Sequence, residues 1–147
     1  MTNEQAVAAP ILRYGGFWIR LVATLIDGFI LGIMLGLLGA VTGLDFFADD
    51  PERISWLAIA VQFAVDWLYE AGLTASPLCG TLGKRAVGLR VVTERGERIS
   101  FARSTGRFLA KVVSAMLLLV GFLMVAFTER KRGLHDMIAG TVVITAD

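Results

Sequence analysis

The chain has 147 residues, enough for one domain at most, and 56 % of them are hydrophobic, which is too apolar for an ordinary soluble domain. Charged residues make up 18 % and the formal net charge is +1, so the chain lacks the basic excess of a nucleic-acid-binding protein. Its single cysteine excludes an intrachain disulfide and a cysteine-based metal cluster. This composition favours an integral membrane protein.

The first apolar stretch, FWIRLVATLIDGFILGIMLGLLGAV, covers residues 17–41. Residues 21–41 are long enough to cross a hydrocarbon core of about 30 Å at about 1.5 Å per residue. Only Arg13 supplies a base before the stretch, and the apolar run exceeds the roughly 7–15 residues of a signal-peptide core. We therefore expect an uncleaved first span, preceded by a flexible segment, residues 1–12.

Two ionisable residues lie inside this predicted span, Arg20 and Asp27. An ionisable side chain at bilayer depth costs at least about 2.5–3.5 kcal/mol on insertion scales, so each of them requires a partner or a use. Their spacing is close to two helical turns, which places both on one helix face with Thr24 between them. Two interpretations stay open: a buried salt bridge that fixes helix packing, or a site for a proton or ion.

The same span carries glycines at four-residue spacing, Gly28, Gly32 and Gly36. Small residues at this spacing let two helix backbones approach closely. The pattern predicts tight helix packing, either within the chain or against another subunit.

The second apolar stretch, residues 54–73, has about the minimum spanning length and contains Asp66 and Glu70. Residues at i and i+4 share a helix face, and like charges repel there. We therefore expect a raised pKa for one carboxylate or a base between the two, with Arg20 as the candidate base. A polar face packed against the first helix is the alternative.

The charges of the connections predict the orientation. Residues 44–55 are mainly acidic, whereas residues 74–111 are mainly basic. The positive-inside rule places the second connection, and with it the N-terminus, in the cytoplasm. The expected location is a bacterial inner membrane, crossed more than once.

The basic connection contains the run Thr81-Leu82-Gly83-Lys84-Arg85. It is not a phosphate-binding P-loop, because that loop needs Ser or Thr after the lysine and Arg85 stands there. We interpret the run as an anchor at the end of a span, with its bases attracted to anionic lipid headgroups.

The third apolar stretch, residues 112–127, would cover roughly 24 Å as a straight helix. The basic run that follows, residues 130–132, would break the positive-inside rule if it lay outside. This predicts a re-entrant or strongly tilted segment that returns the tail to the cytoplasm. Just before it, Arg103, Arg107 and Lys111 form a basic stripe at four-residue spacing, typical of a helix lying along a membrane surface.

Two short stretches have strand character. Residues 87–92 precede a turn at Arg95-Gly96 and a second short apolar stretch, residues 99–101, in a hairpin-like pattern. Residues 141–145, TVVIT, are β-branched. If both regions lie in the cytoplasm they can pair, which also favours a cytoplasmic tail.

The single histidine, His135, stands beside Asp136. Zinc requires three or four ligands, so this pair is a poor metal site. No credible catalytic triad is present. We expect no enzyme activity, no metal and no cofactor.

Several blocks of the sequence together resemble the RDD family of small membrane proteins, which is named for one arginine and two aspartates. The blocks are FWIRLVATLIDG, WLYEAGLTASPLCGTLGKRAVGLRVV and GLHDMIAGTVVI, in this order. The resemblance covers roughly residues 13–145 and implies that Arg20, Asp27 and Asp136 match the three named residues. For function it implies only the usual suggestion for the family, the transport of ions or other small solutes.

These observations predict an all-α membrane protein, a single domain of residues 13–145, with two transmembrane helices, a third short or re-entrant segment and a small cytoplasmic β-like element. The leading functional hypothesis is a carrier of a cation or proton, in which Asp27 and Asp66 handle the ion, Arg20 is their counter-charge, and Glu70 and Asp136 complete the set of interacting charges. Two or three spans hardly enclose a pathway, so this hypothesis requires a homo-oligomer. The alternative is a non-transporting accessory or scaffold protein that binds partner helices or anionic lipid.

Overall fold

The protein is mostly helical and carries a two-stranded antiparallel sheet, in a computed structural model that describes residues 13–53, 55–116 and 125–145. A 3₁₀ turn, Pro51–Arg53, and a π-helical turn, Leu68–Gly72, complete the regular structure. In chain order the elements are α1 Phe17–Thr42, α2 Trp56–Trp67, α3 Leu73–Ala75, α4 Leu82–Ala86, β1 Leu89–Thr93, α5 Phe101–Met116, α6 Leu134–Ala139 and β2 Thr141–Thr145.

Helix α1 is the one helix in the described part of the chain that is long and apolar enough to cross a membrane. Its 26 residues extend about 39 Å at 1.5 Å per residue. It ends at Gly43, whose positive φ of 75° suits glycine and whose N–H donates to the carbonyl of Gly39. The second predicted span is not confirmed, since α2 has only 12 residues before the π-helical turn begins.

The two predicted strand regions pair with each other. β1 and β2 run antiparallel with Val91 opposite Val143, as expected from their β-branched residues. The residues before α1 join the same element, because the N–H of Gly15 donates to the carbonyl of Val143 at 2.9 Å. The N-terminal end of α1, the long connection and the tail therefore meet on one side of the protein.

The hairpin-like pattern after β1 is also confirmed. Gly96 has a positive φ of 80°, and Val92 forms a bridge with Arg98 across the turn. Ile99 then enters a small apolar core, which also contains Ala23 of α1. The rest of that core comes from the sheet residues Leu89, Val91 and Val143.

Helix α5 exposes apolar side chains and buries charged ones, which is the reverse of a surface helix in a soluble protein. Its apolar residues Leu109, Val113 and Met116 are exposed, whereas Arg107 is only 1 % exposed. Buried charge under an apolar outer surface is the pattern expected of a helix that faces lipid. The prediction of a basic surface stripe is therefore wrong for Arg107 and Lys111, which point inward, while Arg103 is exposed.

The glycine stripe of α1 has open space beside it among the described residues. A Cβ atom added at Gly28, Gly32 or Gly36 would meet nothing within 4 Å among those residues. Packing against another copy stays a prediction. Half of the third apolar segment, residues 117–124, lies outside the described residues, as does the predicted flexible segment, residues 1–12.

The closest backbone approach involves a different glycine, Gly83 of α4. A Cβ atom there would lie 2.7 Å from the carboxyl carbon of Asp27 and still closer to the carbonyl oxygen of Ala23. Only a residue without a side chain fits at this distance. Helix α4 therefore packs directly on the backbone of α1.

We predict that Gly83→Ala destabilises the protein by about 1–3 kcal/mol, because the methyl group must displace backbone that has no room to move. Gly106→Ala is the matched control. Gly106 lies on the exposed side of α5 with open space around it, so alanine should stabilise that helix by about 0.5–1 kcal/mol. Thermal melting of both purified variants in a neutral detergent measures the difference. Equal melting temperatures would contradict the close packing of α4 on α1.

Candidate functional site

A buried carboxylate, Asp136 in the first turn of α6, collects two guanidinium groups. Its Oδ2 accepts from Nη1 of Arg20 at 2.5 Å, and its Oδ1 accepts from Nε of Arg107 at 2.9 Å. The backbone N–H of Gly133 also donates to Oδ2, at 3.3 Å. Burial alone would raise the pKa of Asp136, but Arg107 and then Arg20 hold that pKa well below its usual range.

Arg20 joins three parts of the chain. Besides Asp136 it donates to two carbonyl oxygens, through Nε to Gly15 at 2.9 Å and through Nη2 to Lys131 at 2.6 Å. This arrangement fastens the start of α1 to the segment that leads into α6. The expectation that Arg20 is the counter-charge of Asp27 and Asp66 is therefore wrong, because its guanidinium pairs with Asp136 instead.

Glu70, in the π-helical turn, is surrounded by bases. Its Oε1 accepts from Nζ of Lys84 at 3.4 Å, from Nη1 of Arg107 at 3.3 Å and, at shorter range, from Nζ of Lys111. The sequence predicts a base beside one of the two carboxylates of this helix, and the structure supplies three. The base is not Arg20.

Arg107 links the two carboxylate centres, since its Nε binds Asp136 and its Nη1 binds Glu70. A continuous chain of ion pairs therefore runs from α1 to the π-helical turn. We call its members the charge network; they are Arg20, Asp136, Arg107, Glu70, Lys84 and Lys111.

The lysines of the charge network are easier to deprotonate than free lysines. Burial, together with the charges of Lys111 and Arg107, lowers the pKa of Lys84 to about 7, although Glu70 opposes the shift. Burial also lowers the pKa of Lys111. His135 stays neutral at pH 7, because burial and the charge of Arg107 lower its pKa to about 2.

Asp27 occupies a separate position on α1, where three donors hold its carboxylate. Tyr69 donates its hydroxyl at 2.7 Å, Thr81 its hydroxyl at 2.6 Å and Gly83 its backbone N–H at 2.7 Å. Asp27 therefore ties α1 to the beginning of α4 and to the π-helical turn. Among the described residues, Asp27 forms no hydrogen bond or ion pair with Arg20 or Asp66.

Neighbouring residues of the π-helical turn reach different centres. Tyr69 reaches Asp27, while Glu70 reaches the bases of the charge network. Turns of this type are rare and occur frequently at functional sites. Asp66, one turn earlier, is half-buried and makes no hydrogen bond or ion pair with the described residues.

The basic run of the connection has a structural role that the sequence does not reveal. Thr81 and Gly83 bind Asp27, and Lys84, which is only 7 % exposed, binds Glu70. The predicted anchor therefore does not expose Lys84, which points into the protein toward Glu70, while Arg85 is half-buried next to it. Sequence reasoning also missed Arg107 and Lys111 as site residues, although their four-residue spacing is a signal that they share a face.

A cavity of about 310 Å³ opens beside the charge network. The charged residues on its described walls are all basic, and the remaining lining is mainly apolar. The lining residues are Arg20, Lys84, Arg107, Lys111, Thr24, His135, Phe17, Leu21, Val125 and Val143. In the described part of the chain no group of His, Cys, Asp and Glu could hold a metal ion. The chemistry that this cavity offers is the binding of a negative group.

Apolar surfaces outside and paired charges inside define a small, mostly helical membrane protein. The chain belongs to the RDD family, whose sequence model matches residues 14–140. The resemblance in sequence matches Arg20, Asp27 and Asp136 to the arginine and two aspartates of the family's name. All three are held by the contacts described above.

Three proteins of Bacillus subtilis are similar to the chain over most of their length. The uncharacterized protein YxaI is 36 % identical over 145 residues, covering 88 % of this chain and 95 % of YxaI. The uncharacterized protein YckC is 31 % identical, with coverage of 92 % and 87 %. The uncharacterized membrane protein YteJ is 29 % identical, with coverage of 89 % and 80 %. No solved structure gives a significant match.

The pairing of Arg20 with Asp136, rather than with Asp27, is testable by double-mutant cycles. Removing Arg20 leaves the buried Asp136 with one of its two guanidinium partners, and removing Asp136 leaves Arg20 without a carboxylate, so each change is destabilising. We predict a coupling energy of about 1–3 kcal/mol between Arg20→Gln and Asp136→Asn. Arg20→Gln combined with Asp27→Asn is the control cycle and should be additive within about 0.5 kcal/mol.

The free energies of unfolding come from titration with a denaturing detergent. A large coupling in the control cycle, together with additivity for Arg20 and Asp136, would reverse this assignment.

Proposed function

We propose that this RDD-family protein is a membrane accessory protein that binds an anionic group in its basic cavity. One observation carries the proposal: four cationic side chains share the cavity wall, and no carboxylate lines it among the described residues. Of the two roles that the sequence leaves open, this favours the accessory role that includes binding of anionic lipid.

The donors of the cavity support this proposal. A lysine ammonium has three N–H donors, and Lys84 and Lys111 each direct one of them to Glu70. Their other donors have no partner among the described residues. In a partly apolar cavity of low dielectric, a negative group placed against these cations gains more than it would in water.

The carrier hypothesis remains a prediction with one observation in its favour. The carboxylate of Asp27 already has three donors, and that of Asp136 is bound by two guanidinium groups, so a cation would have to displace them. Asp66 has no such bonds among the described residues, and it is the carboxylate that such a carrier would use.

For the topology we propose a cytoplasmic N-terminus and more than one crossing. The residues before α1 and the strands β1 and β2 meet in one element, and the basic connection lies with them, which by the positive-inside rule belongs in the cytoplasm. Cysteines placed at Asp49 and at Arg95 in a Cys79→Ala background should label from opposite sides. Labelling of both from one side would contradict this arrangement.

The proposal predicts that the purified protein binds inorganic sulfate, an anion that keeps its charge near neutral pH. Lys111→Met should weaken binding at least about tenfold, because it removes a charged donor from the cavity wall. Arg103→Met is the matched control, since Arg103 lies two turns earlier on the same helix and is exposed. Titration calorimetry in a neutral detergent at constant ionic strength measures both.

Sulfate binding that is absent, or equally reduced in both variants, would contradict the proposal. Cation flux in proteoliposomes that disappears in Asp66→Asn would favour the carrier instead.

Sulfate affinity should also fall by about tenfold between pH 6 and pH 8, because Lys84 loses its proton with a pKa of about 7. Glu70 and Asp27 raise this pKa, whereas Lys111 and Arg107 lower it. Without a bound anion, the stability of the folded protein has the opposite pH dependence and increases as the pH rises. The lowered pKa of Lys84 makes the free energy of unfolding rise with pH between about 7 and 10.5, where the unfolded chain binds the additional proton.

Lys84→Gln should give weaker binding with a flat pH profile. An unchanged slope in that variant would remove Lys84 from the explanation.

A further inference from the structure

The cavity beside the charge network has two chemically different walls. Cationic side chains form one wall, and the apolar side chains of Phe17, Leu21, Val125 and Val143 form the other. Its volume of about 310 Å³ lies at the lower end of the roughly 300–1,000 Å³ found for pockets that bind small organic molecules. An inorganic anion would satisfy the first wall and leave the second in contact with water.

The apolar wall continues onto the outer surface of α1. Leu21 lines the cavity and is also 39 % exposed on that helix. Trp18 and Leu25 lie within one turn of it and are largely exposed. Because α1 is long and apolar enough to cross a membrane, these side chains face lipid when the helix is inserted. The cavity therefore opens toward the region that acyl chains occupy.

The position along α1 matches the depth of a headgroup. Arg20 and Phe17 belong to the first turn of the helix, at the end where the chain enters the membrane. Phosphate groups of lipids lie at this level, and basic pockets between membrane helices are known to hold anionic headgroups. A charge at this level and an apolar chain beside it are the two parts of one lipid molecule.

We infer that the cavity binds an anionic phospholipid, with its phosphate against Lys84 and Lys111 and its first acyl carbons against Leu21 and Phe17. This inference rests on the proposed function and adds the class of ligand. The lipid would contact α1, α4 and α5 together. Binding would therefore raise the stability of the folded protein with ligand concentration.

The experiment compares four ligands on the purified wild-type protein in a neutral detergent. They are dioctanoyl phosphatidylglycerol, dioctanoyl phosphatidic acid, dioctanoyl phosphatidylcholine and inorganic phosphate. Both anionic lipids should raise the melting temperature and appear as one-to-one adducts in native mass spectrometry. Phosphatidylcholine, whose headgroup has no net charge, and inorganic phosphate should bind at least about tenfold more weakly.

Two leucines of α1 test the apolar wall without touching any charge. Leu21→Ala should weaken phosphatidylglycerol binding about tenfold, because it removes the side chain that joins the cavity to the lipid-facing surface. Its affinity for inorganic sulfate should not change. Leu25→Ala, one turn further along and outside the cavity lining, should bind like the wild type.

The outcomes separate this inference from the proposed function. Inorganic phosphate that binds as tightly as phosphatidylglycerol, with no effect of Leu21→Ala, would identify a site for a free anion; the proposed function would then stand and the lipid would be wrong. Phosphatidylcholine that binds as tightly as phosphatidylglycerol would show that the charge is not recognised. Failure of every anion to bind the folded wild type would overturn both.

Discussion

The structure depends on the burial of one guanidinium group, that of Arg107, which is only 1 % exposed. A buried charge without partners is strongly destabilising, so the carboxylates of Glu70 and Asp136 must both reach it. These acids come from distant elements, the π-helical turn and α6. Apolar side chains give helices little reason to associate in lipid, because lipid is equally apolar. The charge network therefore selects which helices pack together, and Arg20 extends it to α1.

The same constraint leads from the fold to the cavity. Each carboxylate of the network lies behind its bases, so the bases form the cavity wall and still have donors to offer. An excess of cations at a buried surface is costly unless a negative group is present. This cost is seen in the pKa of Lys84, which is lowered to about 7 mainly by burial, so that the lysine loses its proton more easily. A bound anion would offset this electrostatic cost. Under the proposed function, stability and anion binding are thus two consequences of one charge arrangement.

The sequence predicts the helices and strands better than it predicts which charged residues pair with each other. Length and hydropathy identify α1, and β-branching identifies β1 and β2, because these signals are local. The seven-residue spacing of Arg20 and Asp27 predicts a shared region of α1, but it contains no information about a partner 116 residues away such as Asp136. The four-residue spacing shows that Arg107 and Lys111 share a helix face. Whether that face points inward or outward depends on whether water or lipid surrounds the helix. In lipid a basic face turns inward. No local sequence pattern identifies the π-helical turn at Leu68–Gly72.

Arg20, Asp27 and Asp136 lie at two separate junctions of the described structure. Arg20 and Asp136 are an ion pair that joins α1 to α6, and Asp136 also fixes Arg107 at the cavity wall. Asp27 binds Thr81 and Gly83, which places the next residue, Lys84, at the same wall from the other side. Each named aspartate therefore positions a cation that lines the cavity. Under the proposed function, Arg20, Asp27 and Asp136 position the bases, and the bases contact the anion.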